Sequence, residues 1–461
     1  FRVGAGASGA STSLSMALIG VGHLVGLSVG IAMAVGMLVT WAGLVPVLTA
    51  MHGASGDIAA LVDDTFRNDV RFIGAGTIGV AALWSLLRIL GPIIRGIRAA
   101  MATADARKSG QALELTERDL PISIVGGTIL ALLLPIAGLL WVFAADTAIA
   151  DGIAPVILGT LVYVLVIGVV IASVCGYMAG LIGASNSPVS GVGILAVLGA
   201  ALLLVLAYGR GGTVEQTQAL IAYAIFTTGI VFSIATISND NLQDLKTGQL
   251  VGATPWKQQV ALVIGVVFGS LVIPPVLDLL NAAFGFSGAP NAGPNALAAP
   301  QAALISALAR GVLGDSLNWG LIGFGAVLGA VSIIVDETLG RFGKMRLPPL
   351  CVGMGIYLPM ALTLLIPIGA VLGHFYDRGV KTHRDPEFAR RMGVLAATGL
   401  IVGESLFGVA FAGIVASAGG DAPLAVVGDS FRSPGIAIGL ALFIGAVAIL
   451  YRAARKAVEE R

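Results

Sequence analysis

The sequence predicts an all-α integral membrane protein, a polytopic helical bundle with inverted repeats and two candidate re-entrant hairpins. Three observations carry the prediction. The first is composition: 57% of the 461 residues are hydrophobic and only 11% are charged, against about 25% charged in soluble domains. A soluble core cannot hide that much apolar surface, whereas a bilayer solvates it. The second is the recurrence of apolar runs that reach the roughly 20 residues needed to cross a hydrocarbon core, as in Leu120–Phe143, Val156–Val174, Gly191–Leu206, Val260–Leu280 and Gly435–Leu450. The third is a near-repeat of Gly-rich sequence in the two ends of the chain.

Nine spanning helices are expected, over 72–92, 121–143, 152–174, 190–208, 216–236, 258–282, 317–338, 392–416 and 434–451. A shorter apolar stretch, 299–313, is set apart by Gly and Pro. The 64 glycines are costly in soluble helices, but in a membrane bundle small residues let backbones approach. Spaced pairs recur at Gly22/Gly26/Gly30, Gly176/Gly180, Gly265/Gly269 and Gly399/Gly403, and together they predict a tightly packed bundle.

Charge then orients the spans, because Lys- and Arg-rich loops stay cytoplasmic. Most of the 26 basic residues fall in 88–118, 246–257, 341–346, 378–391 and the tail 452–461. The intervening connections are poor in basic residues, and Asp57, Asp63, Asp64 and Asp69 make the first one acidic. The two classes alternate across nine helices, which predicts a cytoplasmic C-terminus and residence in the cell (inner) membrane. By the same rule both ends of 347–375 are cytoplasmic, so this segment is expected to enter and return. Pro348, Pro349, Pro359 and Pro367 break it as a continuous helix. One ordinary spanning helix is the alternative.

Residues 14–50 carry a related pattern. Ile19-Gly-Val-Gly-His-Leu24 aligns with Val352-Gly-Met-Gly-Ile-Tyr357. Downstream, Arg71 and Gly79…Trp84-Ser85-Leu86 align with Arg391 and Gly399…Glu404-Ser405-Leu406 at an offset of 320. Unit A (14–92) and unit B (347–416) would each be a Gly-rich hairpin followed by a span, in opposite orientations. Inverted repeats with broken helices are a signature of secondary transporters, whose sites lie near the midplane.

Three stretches are more specific. They are Gly176-Tyr-Met-Ala-Gly-Leu-Ile-Gly-Ala-Ser-Asn-Ser-Pro-Val-Ser-Gly191, the polar run Asn239-Asp-Asn-Leu-Gln-Asp-Leu-Lys through Gln259, and Gly353-Met-Gly-Ile-Tyr-Leu-Pro359 with Gly399-Leu-Ile-Val-Gly-Glu-Ser-Leu406. In this order the set resembles the oligopeptide transporter family, in its prokaryotic branch close to the yellow stripe-like metal-chelate transporters. The resemblance implies proton-coupled uptake of small peptides or metal–chelate complexes. Members of that family are longer at the N-terminus, so residues 1–461 are expected to be a transport domain that lacks N-terminal helices of the full protein.

Candidate site residues follow. In Gly183–Gly191 a span ends in Ser, Asn, Ser and Pro; unwound backbone at membrane depth is tolerated where it lines a cavity. Ser185, Asn186, Ser187 and Ser190 are therefore expected to contact a polar substrate, with Tyr177 beside them; a tight cytoplasmic turn is the alternative. Glu404, inside an apolar helix, is the expected proton-coupling carboxyl, since burial favours its neutral form; a structural glutamate bonded to a neighbouring helix is the alternative. His23 and Tyr357 sit beside the Gly-rich breaks, where either could face substrate or His23 could share a proton with Glu404. Residues 239–259 are too polar to span and are expected to form a cytoplasmic loop or amphipathic helix.

Other functions fit less well. There is no G-x-x-x-x-G-K-[ST] for a nucleotide-driven pump and no H-E-x-x-H for a zinc hydrolase. A channel and an intramembrane Ser–His enzyme remain as alternatives. Net charge of +1 gives no reason to expect nucleic acid. Cys175 and Cys351, both in apolar context, read as buried thiols rather than a disulfide or metal site. No cofactor is expected. The partners are the lipid bilayer, the substrate and protons; a homodimer and a monomer would expose similar apolar surfaces.

Overall fold

The computed structural model describes residues 1–53, 57–85, 87–88, 114–182, 189–210, 212–286, 289, 296–297, 299–314, 318–418, 423–428 and 431–459. After a two-stranded turn (Arg2–Val3 with Gly6–Ala7) the described elements are helical. In order they are α1 (Met16–Leu38), a π turn into α2 (Val45–His52), α3 (Ile58–Thr65), α4 (71–85), α5 (Ile122–Ala145), α6 (Ile153–Ile182), α7 (Val189–Tyr208) and α8 (Val214–Val251). There follow α9 (Pro255–Ala283), α10 (Pro300–Gly314), α11 (Trp319–Arg341), α12 (Pro349–Tyr357), α13 (Met360–Thr363), α14 (Leu365–Val380), α15 (Pro386–Ala418) and α16 (Arg432–Glu459).

Among the described residues ten helical stretches are long and apolar enough to cross a membrane. They include every expected span except 72–92, of which 71–85 is helical and much of the rest lies outside the described residues. The additions are Met16–His52 and Met360–Val380, the two Gly-rich segments. Residues 239–251 are not a loop. They continue α8, whose 38 residues extend about 57 Å at 1.5 Å per residue, well beyond a ~30 Å core. Gly252, at φ +75°, then ends the helix in a left-handed cap, a conformation that carries no Cβ penalty in glycine.

The chain divides into two compact units. One holds Phe1–Ala81, Pro274–Ala299 and Trp319–Arg461; the other holds Ala82–Ile273 and Pro300–Asn318. In the second unit α6 and α8 pack along their lengths, with α7 and α10 against them. Its core includes Val164, Cys175, Val192, Ala196 and Val231. Gly176 and Gly180 of α6 both face Leu242 of α8.

The first unit is organised by two broken helices. Gly26 interrupts α1 at φ +81° and ψ 173°, a region open essentially to glycine alone. Gly22 and Gly30 lie eight residues apart, about 12 Å along a straight helix, yet both pack on Ala370. The chain therefore folds back at Gly26. In 347–375 the break falls at Leu358 and Pro359, both extended. Gly355 and Thr363 flank this break, and both reach Met37.

The two hairpins contact each other reciprocally. Shifting hairpin A by 333 positions aligns Ile19 with Val352, Gly22 with Gly355, Gly26 with Pro359 and Gly36 with Gly369. Gly22 packs against the backbone of Ile366 and Ala370, and Gly355 against that of Met33 and Met37, the same pair under the shift. Gly36 meets Val352, and Gly369 meets Ile19. The next helices follow suit at the 320 offset: Gly20 packs on Ala397 and Gly353 on Thr77. At each contact glycine lets two backbones approach where a Cβ would not fit. The pairs Gly265/Gly269 and Gly399/Gly403 differ. Within the described residues no backbone or side chain from another element stands within 4 Å of where their Cβ atoms would be. Close packing by glycine is thus confined to particular interfaces and is not a property of the whole bundle.

Candidate functional site

Glu404 lies on α15, half-buried, beside the start of α1. One carboxylate oxygen accepts from the Ser15 hydroxyl at 2.6 Å and the other from the Ala17 amide at 2.8 Å. Ser15 is itself the N-cap of α1 and accepts from the Leu18 amide at 3.2 Å. The carboxylate therefore sits on the positive end of a helix, where unpaired N–H groups and the helix dipole favour negative charge. The positions that the sequence alignment pairs with Ser15 and Glu404 carry different chemistry. Pro348 precedes α12 with no side-chain cap, and the counterpart of Glu404 is Trp84.

His23, two turns further along α1, is 7% exposed. Its Nδ1 is 2.6 Å from the Tyr451 hydroxyl of α16, and the two rings stack. Tyr376 of α14 lies against it at a tilt and donates its hydroxyl to the Ala389 carbonyl at 2.9 Å. Gly373 and Gly393 abut the imidazole, so the pocket is cut to fit it. Its Nε2 is buried with no hydrogen-bond partner among the described residues. Glu404 and His23 each have their own partners and do not bond to each other.

Tyr357 is buried at the end of α12. Its hydroxyl accepts from the Arg71 guanidinium, which also lies over its ring at 4.7 Å from the centroid. Gly74 packs on its backbone. The ring thus joins hairpin B to α4 at the internal break. A second polar clasp fixes the start of hairpin B. Arg346 binds Asp336 through two bonds of 3.2 and 2.7 Å and Glu337 through one of 2.6 Å. Asp336 also accepts from the Leu347 amide at 2.9 Å, and Ser28 donates to the Arg346 carbonyl at 2.6 Å.

In the other unit Tyr177 is half-buried on α6, where it and Met178 pack against Val174. Ser185, Asn186 and Ser187 lie outside the described residues, and Ser190 falls in the first turn of α7. Sequence reasoning missed Ser15, Arg71, Asp336, Tyr376 and Tyr451 as site residues. Ser15 was legible as a cap before an apolar run, and Arg71 stood in the repeat alignment without a role. Asp336, Tyr376 and Tyr451 had no local signal, because their partners lie on other elements.

Two broken hairpins packed through glycine, in a bundle of apolar helices long enough to cross a bilayer, define a polytopic membrane protein. The comparisons agree. A family model described as OPT oligopeptide transporter protein matches residues 1–415, and the chain belongs to that family. A Haemophilus influenzae protein named as an oligopeptide transporter is 40% identical over 459 residues, covering 94% of this chain and 72% of its own length. A rice protein named as the metal–nicotianamine transporter YSL10 is 26% identical over 200 residues, 43% of this chain and 28% of its own. A Saccharomyces cerevisiae protein, YGL114W, named as an oligopeptide transporter, is 26% identical over 230 residues, 48% of this chain and 29% of its own. The matched stretches thus cover under a third of the plant and yeast relatives. No solved structure matches it.

Proposed function

We propose that the chain is the transport core of a proton-coupled importer of small oligopeptides or metal-chelate complexes, working by alternating access. The observation that carries this reading is the reciprocal packing of hairpins A and B, with units A (14–92) and B (347–416) taken as inverted repeats. Two similar units joined through glycine contacts can exchange their arrangements at little cost, which is what exposing one site to each side in turn requires. Peptides and metal chelates both bear carboxylates and amines, and Tyr177, Ser185, Asn186, Ser187, Ser190 and Tyr357 are the proposed substrate contacts. The relatives named as oligopeptide and metal–nicotianamine transporters support both substrate classes.

Glu404 supplies the proposed coupling, with His23 as the second titrating group. Ionised, Glu404 holds the N-terminus of hairpin A through Ser15 and Ala17. Protonation removes the charge that complements the helix end and turns one oxygen into a donor. The first helix of hairpin A is then released alone, because at the start of hairpin B the aligned residues are Pro348 in place of Ser15 and, from unit A, Trp84 in place of Glu404. The C-terminus is cytoplasmic in this reading, and the protein lies in the inner membrane.

The test is uptake by the full-length protein in liposomes under an inward proton gradient, with labelled tripeptides in one set and ferric chelates in another. Gradient-driven uptake of one set, abolished in Glu404→Gln, is the expected result. Uptake unaffected by Glu404→Gln moves coupling elsewhere, and uptake without a gradient rejects symport. A protein shown to be folded that carries neither set rejects the substrate assignment.

A further inference from the structure

A groove of about 600 Å3 runs along α14 and α16. Leu365 clusters with Phe443 and Val447, and Val380 clusters with Ala454 and Val458, so the two helices lie side by side in the same direction. Between Leu365 and Tyr376 the groove covers about 17 Å at 1.5 Å per residue, close to one leaflet of a ~30 Å hydrocarbon core. Its lining is almost wholly apolar until Tyr451, and then ends in Arg452 and Arg455. It opens sideways, where Phe375 and Ile444 are 62% and 59% exposed.

The charge sits where a headgroup would. Twenty residues span the hydrocarbon core, and counting from Ser433 they end at Arg452, which puts both guanidinium groups at the core's edge. The groove lining contains no Asp or Glu. Asp377, on α14, is outside it and lies 3.9 Å from Arg390. The apolar slot asks for a hydrocarbon chain, and the two cations at its mouth ask for an anion attached to that chain.

We propose that this groove is a binding site for an anionic phospholipid, with one acyl chain between α14 and α16 and the phosphate on Arg452 and Arg455. Its inner wall is formed by Tyr376 and Tyr451, whose rings also contact His23. A seated lipid therefore braces the packing around that histidine.

The test uses the full-length protein, stripped of lipid in detergent and titrated with phosphatidylglycerol or phosphatidylcholine of matched chains. Retention is read by native mass spectrometry and stabilisation by thermal unfolding. A cation near an anionic headgroup contributes a factor of about five in affinity, so phosphatidylglycerol should be favoured roughly thirty-fold by the pair. That preference should vanish in R452A/R455A and survive in R452K/R455K, which keeps the charge and guards against misfolding. Ile444→Trp, which fills the slot, should weaken both lipids. Inorganic phosphate at equal concentration should neither stabilise the protein nor displace lipid. Equal retention of the two lipids, an undiminished preference in R452A/R455A, or a groove filled by protein so that no lipid is retained would each overturn the proposal.

Discussion

Replacing Gly355 by alanine tests the hairpin interface directly. The added methyl would stand well under 3.0 Å from the carbonyl oxygen of Met33, a backbone atom that cannot rotate aside. Restoring a C···O separation of about 3.3 Å requires the hairpins to part by roughly 1 Å. Overpacking of this kind costs about 1–3 kcal/mol, and the helix preference of alanine over glycine returns at most about 1 kcal/mol. With the full return the net loss is about 0–2 kcal/mol, and the backbone contact places it towards the upper end. Gly22→Ala makes the equivalent clash with Ile366 and should cost the same. Gly403→Ala, with open space at its Cβ, is the control and should be neutral or slightly stabilising. At about 2–4 °C per kcal/mol for a medium-sized chain, Gly355→Ala and Gly22→Ala should each lower Tm by a few degrees in detergent. One separation relieves both clashes, so the double variant should lose less than the sum. Equal Tm values for Gly355→Ala and Gly403→Ala would refute the reasoning, because both glycines are helical and only the first has a backbone where its Cβ would stand.

Three further outcomes follow from the same contacts. Gly26→Ala has free space around it, so its cost is conformational alone, about 1–3 kcal/mol, and should appear as a lower Tm. Asp336→Ala removes the buried partner of Arg346 and strands the Leu347 amide. Because the Arg346 side chain is 37% exposed, the loss should be about 2–3 kcal/mol, below the 3–5 of a fully buried pair, measured by denaturant or thermal unfolding. Tyr451→Phe keeps the ring stack but leaves His23 Nδ1 without its partner, at about 1–3 kcal/mol; a Tm equal to wild type would show that another group takes the bond.

What the sequence revealed depended on how far apart the interacting residues lie. Spans were legible because length and apolar character are local properties, and the break at Pro359 was legible because proline acts on its own backbone; Gly26 was read only as a packing glycine, and its positive φ shows in the structure alone. The register between the hairpins was only half visible. The alignment of Ile19–Leu24 with Val352–Tyr357 was read, but that Gly22 meets Ile366 and Gly355 meets Met33 depends on packing across more than 300 residues. Spacing alone overstated the glycine pairs: Gly399/Gly403 matches the pattern of Gly22/Gly26 yet meets no neighbouring element among the described residues. Residues 239–251 were read as a cytoplasmic loop or amphipathic helix beyond the span because polarity was taken to end it, whereas α8 continues through them without a break.

The asymmetry between the hairpins bears most on mechanism. In the proposed reading the two hairpins are interchangeable through their glycine packing, which by itself gives a device with no preferred side. A proton can bias such a device only if it acts on one unit. In that reading Glu404, which accepts from the Ser15 hydroxyl and the Ala17 amide, is the latch on the α1 N-terminus of hairpin A. At hairpin B, Pro348 offers no capping side chain, and the sequence alignment pairs Glu404 with Trp84. Hairpin B is instead held by Arg346, which binds both Asp336 and Glu337. Substituting Ser15 by alanine separates the latch from the fold: it should cost about 0.5–2 kcal/mol as a lost cap and leave Glu404 with the Ala17 amide alone. If the latch couples protons to movement, Ser15→Ala should shift the pH dependence of uptake while Asp336→Ala lowers stability without shifting it. The same pH profile for both variants would mean that the asymmetry is structural and that coupling resides elsewhere.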